Sequence, residues 1–110
     1  MANSYKKKVA GSVGTTLRDV YVAGAGVQST VIGMTIANII PSPVSANVVV
    51  YNAAGANSVF MVRTATIATG GTLIAVGGDQ KLFLEPGDKV QVQMSAASSA
   101  DVIVSVLEVS

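Results

Sequence analysis

Lys81-Leu82-Phe83-Leu84-Glu85-Pro86-Gly87-Asp88-Lys89-Val90-Gln91-Val92-Gln93-Met94 decides the fold class. In its second half Val90, Val92 and Met94 alternate with Lys89, Gln91 and Gln93. A period of two is what a strand shows when one face is buried and the other is wet. Glu85-Pro86-Gly87-Asp88 carries turn chemistry: proline presets φ, glycine accepts a positive φ, and aspartate bonds nearby backbone. Lys81–Leu84 before it reads as a short strand. Strand, turn and strand follow within fourteen residues.

The same pattern extends in both directions. Further strands are expected over Thr15–Ala23, Gln28–Ile40, Ser45–Asn52, Val59–Ala65, Thr72–Val76 and Asp101–Val109. Within Gln28–Ile40, Ile32, Met34 and Ile36 alternate with Gly33, Thr35 and Ala37, which predicts the first three on one buried face. Pro41-Ser42-Pro43, Thr69-Gly70-Gly71 and Gly77-Gly78-Asp79 are among the breaks between strands, since proline cannot donate to a central ladder and glycine takes the turn conformations. No window has helical periodicity. About eight short strands at turn spacings of roughly 8–12 residues predict an all-β fold, a single antiparallel β-sandwich of immunoglobulin-like or jelly-roll type. Residues 1–14 are polar and basic, then rich in Gly and Ser. They read as an extended, flexible N-terminal arm ahead of a sandwich domain spanning 15–110.

A chain of 110 residues suits one domain,. Charged residues make up 12% of it, about half of the roughly 25% usual in soluble domains. Half the residues are apolar, but in short runs, far from the roughly 20 in succession that a membrane-spanning helix needs. A chain this low in charge is expected to hide apolar surface in an oligomer. Membrane partners are not expected. After Lys6-Lys7-Lys8, Val9–Gly14 is too short and glycine-rich for an export core, so synthesis in the cytoplasm is expected.

Neither cysteine nor histidine is present, which removes thiolate ligands, the commonest metal ligand and the usual general base near neutral pH. The carboxylates are Asp19, Asp79, Glu85, Asp88, Asp101 and Glu108. Most fall at strand ends or turns, and their spacing sets up no acid–base pair across a cleft. Asp79 and Asp88 lack a dense acidic calcium loop. Gly24-Ala25-Gly26 and Gly70-Gly71 lie between strands with no helix following, so they are hairpin turns and not phosphate loops,. Catalytic residues, metals and cofactors are therefore not expected, and the chain reads as a non-enzyme. Nucleic acid is not an expected partner, because no aromatics are interleaved with the basic run. A glycan-binding module is the alternative from another functional class, although the chain has no tryptophan for a sugar platform.

The last strand is apolar on both sides: Val102, Val104 and Val106 on one, Ile103, Leu107 and Val109 on the other. An outer sheet face is normally polar. The second face is covered either within the fold or by a neighbouring subunit. Tyr51 beside Val49 repeats this on a smaller scale. Lys6, Lys7 and Lys8 form a solvated tail or clamp an acidic neighbour. The candidate interface residues are thus Lys6, Lys7, Lys8, Tyr51, Ile103, Leu107 and Val109.

The segments Ala68-Thr69-Gly70-Gly71-Thr72-Leu73-Ile74, Gly78 to Val92 and Val102 to Glu108 resemble small β-sandwich virion proteins of tailed bacteriophages, in which a Leu-x-x-Gly-Asp-x-Val turn joins two late strands. Tyr21-Val22-Ala23 and Ser29 to Asn38 fit as well, so the resemblance runs from about Thr15 onward. It implies a structural part of a particle that decorates or cements the capsid. The alternative is an adaptor at the neck, baseplate or fibre. The implied partners are further copies of the chain and other virion proteins such as the major capsid protein, and the implied location is the virion.

Overall fold

Glu85-Pro86-Gly87-Asp88 folds as a type II turn in the computed structural model, which describes residues 3–77 and 81–109. Gly87 takes φ 90°, and the Asp88 N–H donates to the Glu85 carbonyl at 3.0 Å, the combination that Pro-Gly at the two central positions favours. The turn carries the chain from one sheet to the other. Among the described residues the strands are β1 (Asn3–Val13), β2 (Arg18–Val22), β3 (Gln28–Asn38), β4 (Val44–Asn52), β5 (Asn57–Ile67), β6 (Thr72–Val76), β7 (Leu82–Leu84), β8 (Lys89–Met94) and β9 (Ala100–Val109).

These strands pair in mirror order about the β4–β5 turn: β4 with β5, β3 with β6 and β7, β2 with β8, and β1 with β9, all antiparallel. The pairs β3·β9 and β4·β8 then join them into two sheets. The larger runs β1-β9-β3-β6, with β7 also on β3, and the smaller runs β2-β8-β4-β5. A long hairpin wrapped so that successive pairs alternate between two sheets is the jelly roll. Immunoglobulin order would set the first two strands side by side, whereas β1 and β2 lie in different sheets.

The core lies between the sheets. Val31, Met34, Ile36, Val102, Val104 and Val106 come from the larger sheet, and Ala46, Val48, Val90, Val92 and Met94 from the smaller. Ile32 departs from the expected alternation and stays partly exposed. The β3–β9 register shifts between Val31 and Gly33. One extra residue at such a bulge reverses which side the following residues face.

The expected N-terminal arm needs correction. Asn3–Val13 is a strand of the larger sheet, in register with β9 from Asn3↔Val109 to Val13↔Ala100. Its hydrogen bonds satisfy one side of β9, and Ala10 and Val13 are buried in the core. As an edge strand it needs few apolar residues, which is why its sequence resembles a tail. The sandwich therefore takes in residues from Asn3 onward, not from Thr15.

Candidate functional site: the outer face of the larger sheet

β9 runs between β1 and β3 and sorts its side chains strictly. Val102, Val104 and Val106 point inward and are fully buried, while Ile103, Leu107 and Val109 take the opposite side. Cross-strand register extends this outer side into rows. One row is Tyr5, Leu107, Thr30 and Phe83; another is Val9, Ile103, Thr35 and Ile74. Between them lie Lys7, Ser105 and Gly33.

Water reaches much of this apolar surface. Tyr5 is 78% exposed, Ile74 68%, Val9 66% and Phe83 57%, the four most exposed large apolar side chains among the described residues. All four are on this face, and Ile103, also exposed, sits between them. Singly exposed apolar residues are ordinary, but two rows crossing one sheet face concentrate apolar surface of the kind that marks an interaction surface.

The seven residues singled out from sequence do not converge. Ile103, Leu107 and Val109 share the outer face with Lys7. Lys6 and Lys8 stand opposite Val106 and Val104 on the other side of β1. Tyr51 belongs to the smaller sheet, where the Lys89 ammonium lies 5.5 Å from its ring centroid. Sequence reasoning missed Tyr5, Val9, Ile74 and Phe83. Its available signal was the alternation Tyr5-Lys7-Val9 and the reversal of Phe83 against Leu82 and Leu84.

Lys6 has a local task at the sheet margin. Its ammonium lies 3.0 Å from Glu108 Oε1, and the Tyr21 hydroxyl donates to Glu108 Oε2 at 2.5 Å. The same hydroxyl meets the buried Ser29 Oγ at 2.5 Å. The cluster ties β1, β3 and β9 to β2 of the facing sheet. Burial, then the Glu108 carboxylate, pushes the Tyr21 hydroxyl up to about 12. The Tyr21 hydrogen bond, followed by Lys6, holds the Glu108 carboxyl below its ordinary value.

Other carboxylates also serve the fold. Asp88 accepts from the Ala53 and Glu85 backbone N–H groups, each at 2.9 Å. Asp101 accepts from the Ser12 N–H at 3.0 Å, and Asp19 accepts from the Gln91 amide at 2.7 Å. Asp79 lies outside the described residues. Among the described residues no three His, Cys, Asp or Glu side chains gather as a metal site, and no helix is long and apolar enough to cross a membrane. An open depression of about 690 Å³ lies beside Ser12, Thr15, Arg18 and Ser98, and there the Arg18 guanidinium donates to the Gly11 carbonyl at 2.7 Å.

No protein-family model and no curated protein matches the chain. Solved structures do. A chain of the acid-stable capsid of Helicobacter pylori bacteriophage KHP30 superposes with a TM-score of 0.57 at 10% identity, over 100% of this chain and 94% of that one. A protein of the Bacillus endospore appendages, which are disulfide-linked pili, gives 0.57 at 16% identity, over 96% and 86%. The Drosophila NLP core, from a study of pentamer formation and histone binding, gives 0.50 at 15% identity, over 96% and 95%. The likeness is one of fold. It extends over nearly the whole of this chain and most of each of the other three.

Proposed function

We propose that this protein is a non-enzymatic structural component of a bacteriophage particle, a self-associating capsid decoration or cement protein that stabilises the head beside the major capsid protein. The observation that carries this reading is the outer face of the larger sheet, where Tyr5, Val9, Ile74, Phe83 and Ile103 offer apolar surface to water. Such a patch gains free energy when a neighbour covers it. Support also comes from the fold shared with a phage capsid chain along its whole length, and from the Leu84 to Val90 turn that resembles small virion sandwiches.

The test is the copy number of this polypeptide in purified particles, by quantitative mass spectrometry. On the order of hundreds of copies supports the shell, and on the order of ten indicates a cyclic ring at the neck, baseplate or fibre. Clean particles that lack the polypeptide would overturn the virion reading and bring forward a glycan-binding module.

A further inference from the structure

The two exposed apolar rows end on opposite edges of the larger sheet, Tyr5 and Val9 on β1, Phe83 on β7 and Ile74 on β6. We infer that the outer face of the larger sheet is a self-complementary interface, on which a second copy docks face to face about a two-fold axis running parallel to the strands between β9 and β3. This deepens the self-association in the proposed function and does not depend on the presence of a particle.

Symmetry and the position of Lys7 select that axis. A two-fold along the strands exchanges β1 with β6 and β7, and β9 with β3, while each row stays at its own height. Tyr5 then meets the second copy's Phe83 and Val9 its Ile74, with Leu107 and Ile103 against Thr30 and Thr35. Apolar ends meet apolar ends in both rows. The two Lys7 ammoniums fall on opposite margins, three strand spacings or about 14 Å apart, beyond a Debye length of roughly 8 Å at physiological salt. A two-fold perpendicular to the strands through the middle row would instead stack Lys7 on Lys7. The same patch meeting itself closes the assembly at two copies.

The area suffices. Four strands abreast and the length of β9 make a rectangle of about 19 by 33 Å, roughly 600 Å² before side-chain relief is counted. Two such faces clear the roughly 1,000 Å² expected of a specific interface and approach the standard size of about 800 Å² per partner. Aligned packing of sheets at about 10 Å lets side chains of both faces interdigitate.

The absence of cysteine makes the test clean. Tyr5→Cys and Phe83→Cys chains are prepared separately, mixed and oxidised, and their masses read on a non-reducing gel. The unsubstituted protein is sized by light scattering up to roughly 100 μM, with Ile74→Lys beside it, a change at an exposed site that keeps the circular dichroism of the fold; its dissociation constant should rise at least about tenfold. The expected result is twice the 11.1 kDa monomer mass, with a disulfide in the Tyr5→Cys and Phe83→Cys mixture and little in either chain alone. A monomer throughout that range, or a dimer indifferent to Ile74→Lys, overturns the inference. So does a ring or filament cross-linked by the same cysteine pair, which would assign edge-to-edge pairing of β1 with β6 and β7. A monomer that is nonetheless abundant in particles would leave the virion reading standing.

Discussion

Asp88→Ala should remove a disproportionate share of the stability for one turn residue. Both carboxylate oxygens are engaged, Oδ1 by the Ala53 N–H and Oδ2 by the Glu85 N–H, each at 2.9 Å. Asp88 is buried, so the two donors lose an acceptor where water has little room. A buried group left unsatisfied costs about 1–3 kcal/mol, which puts the pair at about 2–5 kcal/mol with some relief by water at the β4–β5 turn. Against a total of roughly 5–15 kcal/mol this is a large fraction. At about 4 °C per kcal/mol for a domain slightly over 100 residues, the melting temperature should fall by about 8–20 °C. Asp88→Asn keeps one acceptor oxygen and should lose about half as much. The assay is urea denaturation followed by circular dichroism at one protein concentration, because self-association adds concentration-dependent stability. The midpoint should drop with the slope unchanged. A loss for Asp88→Ala below about 0.5 kcal/mol, the scale of an ordinary surface change, would refute the view that this carboxylate stitches two turns together.

Val104→Asp should unfold the chain, since an unpaired buried charge costs several kcal/mol, whereas Leu107→Asp, on the outer face, should leave the monomer folded and weaken assembly; circular dichroism and sizing separate the two. Stability should fall on the acid side as Glu108 is protonated: its folded value lies below the unfolded one, so its contribution is complete above the ordinary carboxylate range and is lost as pH drops through the folded value. Glu108→Gln should flatten that part of the pH–stability curve measured by urea midpoints. On the alkaline side Tyr21, raised from 10.0 to about 12, should contribute fully below pH 10 and lose that contribution as pH rises through 12, a loss that Tyr21→Phe abolishes. Deleting residues 1–8 should lower the melting temperature, because it strips β9 of its partner and Glu108 of Lys6; an unchanged melt would mean that β1 adds no net stability.

Much of the sandwich was legible because most strands carry their own signal. β6 and β8 match the expected Thr72–Val76 and Lys89–Met94 residue for residue, each short and bounded by turn chemistry. β9 was legible down to its two faces, since valine at 102, 104 and 106 can be buried only if 103, 107 and 109 are turned away. β1 was not legible. Its inward positions near the N-terminus are Lys6 and Lys8, which lie at the sheet margin and stay exposed, so no run of buried apolar positions betrays it, and Tyr5 and Val9 on the other side are parted by Lys7. The bulge after Val31 escaped for a different reason, since a register shift depends on the partner strand. The choice of jelly roll over immunoglobulin order rests on which distant strands pair, and local periodicity is silent on that. The candidate face was half legible for the same cause: its centre on β9 shows in one segment, but its corners at Tyr5, Val9, Ile74 and Phe83 meet only once the sheet is assembled.

The mirror-ordered pairing has a consequence for how quickly the molecule forms. Its four strand pairs close loops that widen from Asn52↔Asn57 through Ala37↔Thr72 and Val22↔Lys89 to Val13↔Ala100. Closing the widest loop first would carry the largest entropic penalty. With each inner pair already in place, the next has only two short connections to order. Assembly should therefore spread outward from the β4–β5 hairpin and finish with the chain ends, slowly overall because so many contacts are distant in sequence. Destabilising changes in that hairpin should retard refolding, and equal losses in β1 should instead hasten unfolding.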